Sequence, residues 1–204
     1  MSKKFRCAED ALRFAFHYSG QVYDSPLMNR MADDPTGVAA DEAMSLSGND
    51  GAAQAAMIWN QVMRLSPMSQ FVLYASYSDR SVRCGCGRPC CAGYKPNPFW
   101  EACIVKIEEA AITRALAGCI SHRVLRRSIV RRAFGDKSVV LGDVATRCDV
   151  TQNTASNHNQ AIKTWLFGTK QDGWTTGIRP RALAQLDGML VEAGVVFSAE
   201  TADA

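Results

Sequence analysis

The sequence predicts a mostly α protein, a helical domain with a helix–turn–helix and an inserted cysteine-rich, zinc-knuckle-like loop. Three observations lead there. Apolar residues recur at helical spacing in several separate segments, the pattern of helices with one buried face. Cap residues and Pro or Gly punctuation stand at segment ends, as at Asn97-Pro98 and Gly118. Strand-like patterning is confined to short stretches such as Val195 to Phe197.

In chain order, Glu9 to Tyr18 reads as a short helix. Residues 20–50, rich in Asp, Ser, Gly and Pro with weak periodicity, read as a long loop or partly ordered arm. Gly51 to Leu65 is the next helix, with Ala55, Ile58, Trp59, Val62 and Met63 as its apolar stripe. Ser66 and Pro67 open a helix that runs through Phe71, Val72 and Tyr74 to about Tyr77. The cysteine-rich loop occupies 79–96. Asn97 and Pro98 then start a long helix, with Glu101 at its positive end, that stops near Gly118. Residues 122–134 form another helix, with Leu125, Ile129 and Ala133 toward the core. The helix–turn–helix follows at 141–166, then a Gly/Thr-rich link at 168–177 and a last helix from Pro180 to about Ala193. The predicted organisation is an arm (1–50), a helical region with the cysteine loop (51–120), a helix–turn–helix DNA-binding region (121–197) and a flexible tail (198–204).

With 204 residues, 47% of them apolar, the chain can bury a core. No apolar run reaches the ~18 residues of a membrane span, and the first residues lack a signal-peptide core. A cytoplasmic, reducing setting is expected, in which the eight cysteines are thiols or metal ligands rather than disulfides. The net charge of +3 is unevenly spread. Residues 1–60 hold five Lys/Arg against eight Asp/Glu, and residues 120–170 hold nine against three. A basic segment of this kind suits a phosphate-facing surface.

Within 141–166, Leu141, Val144, Ala145 and Cys148 mark one face of a first helix, and Val150 is apolar in the turn. Asp149 stands where such motifs often have Gly, because the turn needs a positive φ that Asp tolerates better than most residues. Thr151 is a good N-cap. The second helix presents Gln152, Asn153, Ser156, Asn157 and Gln160 on one side, and Ala155, Ile162, Trp165 and Leu166 on the other. Amide side chains pair bidentately with adenine edges in the major groove, so the partner implied is double-stranded DNA. The alternative is a helical hairpin with a solvated polar face. Before the motif, Arg123, Arg127 and Arg131 form an i, i+4 row opposite the core side, with Arg126 and Arg132 beside it. The row reads either as a solvated face or, with Lys163, as the surface that tracks DNA phosphates.

Cys84, Cys86, Cys90 and Cys91 lie within the run CGCGRPCC, where Gly and Pro let the backbone bend so that thiolates can converge on zinc. The C-x-C-x₃-C-C spacing is irregular, so Cys119 and His122 are candidates to complete a site. Compact buried thiols are the alternative. No catalytic constellation appears: Glu108 and Glu109 read as an exposed charged face, and His158 falls on the inner side of the second helix. There is no G-x-x-x-x-G-K loop. The chain reads as a non-enzyme.

The N-terminal segment FHYSGQVYDSPLMN, with Phe16, His17, Asp24, Ser25 and Pro26, is followed by MSLSGNDGAAQAAM, with Ser45 to Gly48 and Asp50. Together they resemble the opening of the late-gene transcription antiterminator Q proteins of lambda-like bacteriophages. A central cysteine-bearing insertion and a C-terminal half resembling a helix–turn–helix, also similar to the promoter-reading region of sigma factors, extend the likeness over most of the chain. The compact cysteine cluster stands where that family has two C-x-x-C pairs, so no ligand set carries over. The resemblance implies a phage or prophage regulator that binds DNA at a late promoter and acts on host RNA polymerase in a bacterial cytoplasm. An activator or repressor without antitermination activity is one alternative, and a helical protein-interaction factor that does not bind DNA is another.

Overall fold

The computed structural model describes residues 5–21, 48–86, 93–171 and 176–197. These form α1 (Ala8–Gln21), α2 (Gly48–Met63), α3 (Pro67–Tyr77), β1 (Ser81–Arg83), β2 (Tyr94–Pro96), α4 (Pro98–Arg114), α5 (Arg123–Ala133), α6 (Leu141–Arg147), α7 (Gln152–Phe167) and α8 (Ile178–Glu192). The protein is mostly α, as the periodicity predicts. Most of the expected arm, including Asp24, Ser25 and Pro26, lies outside the described residues, as do Cys90, Cys91 and the tail 198–204. Packing divides the chain into two compact units, one of residues 1–66 with 183–204 and one of residues 67–182.

In the first unit α1 packs on α2, with Phe16 edge-on to Trp59 at 4.7 Å. The Ala8 N–H donates to Asp187 Oδ1 at 2.8 Å, a carboxylate at the helix end where orphan N–H groups and the macrodipole favour one. The strand signal at 195–197 corresponds to a parallel bridge between Phe5 and Val196. On α2, Ala55, Ile58 and Val62 are buried as expected, but Met63 is 67% exposed and Gln54 is buried. Gln54, Ile58 and Val62 stand four residues apart on one face, and Met63 is rotated off it.

The second unit is built around α4. Trp100, Ile104, Ile107 and Ala111 are fully or almost fully buried, and Leu125, Ile129, Val144, Ala145, Ala155, Ile162 and Leu166 join them in one core. Asn97 caps α4 by accepting from the Phe99 and Trp100 N–H groups, and its Nδ2 donates to the Asp79 carbonyl at 2.7 Å. One side chain thus starts the helix and fixes the preceding segment. The helix ends at Arg114, before Gly118, which has φ +78°.

The stretch 79–96, expected as loop, contains an antiparallel hairpin in which Ser81, Val82 and Arg83 pair with Pro96, Lys95 and Tyr94. Its three-residue strands are too short to show an alternation in sequence. Gly177 meets the end of α7. A Cβ there would stand 2.3 Å from the Gly168 nitrogen, so only glycine permits the approach.

The expectation for Glu108 is overturned. It is 1% exposed, and α5 closes over it. Arg126 Nη2 donates to Oε1 at 2.9 Å and Arg127 Nε to Oε2 at 3.1 Å, while Arg123 Nε stands 3.8 Å from Oε1. Arg126 is itself buried and also donates to the Ser121 carbonyl and hydroxyl. A carboxylate enters a core only when paired and hydrogen-bonded, and here the next helix supplies the guanidiniums.

Candidate nucleic-acid interface

The end of α6 is set by backbone geometry. Cys148 is its C-cap, and Asp149 follows with φ +53°. The Asp149 N–H donates to the Thr146 carbonyl at 3.2 Å and the Val150 N–H to the Ala145 carbonyl at 3.0 Å. This 5→2 and 6→1 pair is a Schellman stop with Asp in the left-handed position usually held by Gly. Val150 packs on the core, which fixes the exit direction. Thr151 then caps α7: its hydroxyl accepts from the Thr154 N–H at 3.2 Å. Asp149 and Val150 alone separate the cap of one helix from the cap of the next.

The inner face of α7 carries Ala155, His158, Ile162 and Leu166, all buried. Ala155 has no side chain beyond Cβ and is fully buried against the core. The outer face carries Gln152, Asn153, Ser156, Asn157 and Gln160, all exposed, with Thr151 exposed at the start and Lys163 half-buried. Gln160 Nε2 donates to Thr164 Oγ1 at 3.4 Å. Gln152 leans on α6, where a Cβ on Gly142 would stand 3.4 Å from its amide oxygen. Every amide and hydroxyl residue assigned to base contacts thus lies on one accessible side of a helix whose other side is locked.

His158 has Nδ1 buried without a hydrogen-bond partner, and burial holds its pKa below the ordinary imidazole value. It belongs to the packing of α7, as its place on the inner side predicts.

The arginine row needs correction. It was expected on the face opposite the core, but Arg127 and Arg131 turn toward carboxylates. Arg131 Nη1 donates to both carboxylate oxygens of Glu101, at 2.6 and 2.9 Å, its Nε donates to Asp136 at 2.9 Å, and the guanidinium lies over Trp100 at 5.3 Å. Burial alone would lower its pKa, and the bonds to Asp136 and Glu101 outweigh that and raise it. Burial would likewise raise the Asp136 pKa, but hydrogen bonds from Ser138 and Arg131 hold it below the usual carboxylate value. Arg123, 69% exposed, is the member of the row that reaches furthest into solvent. On α6 the exposed Arg147 adds a cation close in sequence to the turn.

At the cysteine loop, the Cys84 N–H donates to the Gly93 carbonyl at 2.8 Å, closing the hairpin around the segment; Cys84 is half-buried and Cys86 exposed. Among the described residues no three Cys, His, Asp or Glu side chains gather as a metal set. Cys119 and His122 do not join Cys84 and Cys86 in one, and His122 Nδ1 instead accepts from the Val124 N–H as the cap of α5. Cys103 is buried in the core, and burial pushes its thiol up to about 11, which makes it a packing residue rather than a nucleophile.

No family model, no curated protein and no solved structure matches the chain. Among the described residues no helix is long and apolar enough to cross a membrane.

The sequence reasoning missed the Glu108 ion cluster, the Arg131 clamp, the hairpin and the capping role of His122. A signal for the first was present: Glu108 follows Trp100, Ile104 and Ile107 on the apolar stripe of α4, whereas Glu109 does not.

Proposed function

We propose that the chain is a DNA-binding transcription regulator, not an enzyme, that uses α6 and α7 as a helix–turn–helix with α7 in the major groove. The observation that carries this reading is the stripe of exposed amides and hydroxyls on α7 behind a Schellman stop and a threonine cap. In this reading Gln152, Asn153, Ser156, Asn157 and Gln160 face base edges, and Thr151 fixes the start of the helix. Arg123, Arg147 and Lys163 meet phosphates. Arg127 and Arg131, already satisfied by carboxylates, serve the fold instead. The cysteine segment 84–91 is assigned a structural zinc on the chemistry of its thiols.

Antitermination on host RNA polymerase at a late promoter is the more specific form of the proposal, and it rests on the resemblance of the N-terminal segment to phage Q proteins. One observation favours a second reading, a helical interaction factor: Ile112, Ile120 and Val124 are exposed where α4 passes into α5, Ile120 completely so.

A mobility-shift titration on duplex DNA at two salt concentrations tests the DNA reading. Binding that weakens steeply with salt is expected, and no shift at low salt refutes it. Run-off transcription past a terminator then separates an antiterminator from a simple activator or repressor. Only an antiterminator gives readthrough that persists far downstream of the binding site.

A further inference from the structure

We propose that the outer face of α7 selects adenine, so that the preferred duplex is A·T-rich where α7 sits. This deepens the DNA-binding reading and rests on it. The exposed residues between Gln152 and Gln160 include no Arg or Lys. Guanine is most often read by Arg or Lys donating to its O6 and N7, both acceptors. Adenine offers N7 as an acceptor beside N6–H as a donor, which is the complement of a carboxamide with one NH₂ and one carbonyl.

The second observation is which amides are uncommitted. No hydrogen bond ties the side chains of Asn153, Ser156 or Asn157 among the described residues, whereas Gln160 already donates to Thr164. Asn153 and Asn157 therefore keep both halves of the adenine complement. They stand four residues apart on one face, about 6 Å along the helix axis, a span of about two base pairs at 3.4 Å each.

The third observation is reach. Asparagine and serine are short, and Asn153, Ser156 and Asn157 form the middle of the stripe, with the longer Gln152 and Gln160 at its ends. Short central side chains let the helix sit deep in the groove, where an asparagine carboxamide reaches a base edge directly.

The test is selection from randomised duplexes by the full-length protein, followed by 7-deaza-adenine in place of adenine at the selected positions, which removes the N7 acceptor. Enrichment of adenine at positions about two base pairs apart is expected. Weakening by about fivefold to a hundredfold on 7-deaza substitution or in Asn153→Ala or Asn157→Ala is also expected. Both residues are exposed, so circular dichroism should show an unchanged helix content. Asn153→Arg should move the preference at its position toward guanine. Selection of guanine by the native protein, or indifference to 7-deaza-adenine at selected positions, overturns adenine readout while leaving DNA binding intact. Failure to bind any duplex at low salt overturns both.

Discussion

Replacing Glu108 with Gln keeps the shape of the side chain and removes its charge from the centre of the second unit. The glutamate is 1% exposed, with one oxygen on Arg126 and the other on Arg127. Arg126, 8% exposed at its side chain, cannot turn to water. Removing one partner of a buried pair costs about 3–5 kcal/mol because the other charge stays behind. Arg126 keeps its bonds to Ser121, and glutamine keeps one carbonyl acceptor, so the lower end of that range applies to this pair. Arg127 and Arg123 are 36% and 69% exposed and can rehydrate, adding no more than about 1 kcal/mol each. The expected loss is therefore about 3–5 kcal/mol. Because the chain has two compact units, one global transition is not a safe measure. Native-state hydrogen exchange of amides in α4 and α5 under graded urea reports the second unit directly. The double variant Glu108→Leu with Arg126→Met should recover most of the loss, since an apolar pair needs no compensation. A Glu108→Gln protein within about 0.5 kcal/mol of the native one, far below the cost of breaking a buried pair, would refute the reasoning. So would a double variant no more stable than the single one.

Three further outcomes are expected. Thr151→Ala removes the α7 cap and should cost about 1 kcal/mol, read as faster amide exchange in the first turn of α7 under the same graded urea; unchanged exchange there would show that the cap is not used. Because burial depresses the His158 pKa in the folded protein, its contribution to stability is complete above the ordinary value of 6.5 and is lost as pH falls below it toward the folded value. Melting temperature should fall between pH 7.5 and 5.5, and His158→Met should flatten that step; an equally steep fall in the variant assigns it elsewhere. Metal analysis of protein purified without added zinc should find about one zinc per chain, lost on chelation with Cys84→Ser and Cys86→Ser; a metal-free protein that keeps its fold in chelator refutes the zinc assignment.

The legible parts of the chain were those where local chemistry and packing agree. Asn97-Pro98 and Thr151 announce helix starts because their capping depends on the next few residues alone. The two faces of α7 are set by spacing, and the positive φ at Asp149 by the need to stop α6 and turn at once. The parts that were not legible depend on partners far along the chain. Glu108 looks solvated until Arg126 and Arg127 are folded over it, and Arg127 and Arg131 look like a phosphate-facing row until Glu108, Glu101 and Asp136 are placed. The hairpin is invisible for a related reason: its strands are held by Asn97 and by register rather than by an apolar pattern.

That hairpin has an evolutionary consequence. Its base is anchored twice, by the Asn97 N–H on the Arg80 carbonyl and by Asn97 Nδ2 on the Asp79 carbonyl, and its last rung joins Cys84 to Gly93. Both anchors belong to one residue that also caps α4, so a change at Asn97 would loosen the start of the helix and the base of the hairpin together, and the two elements can only drift in sequence in step.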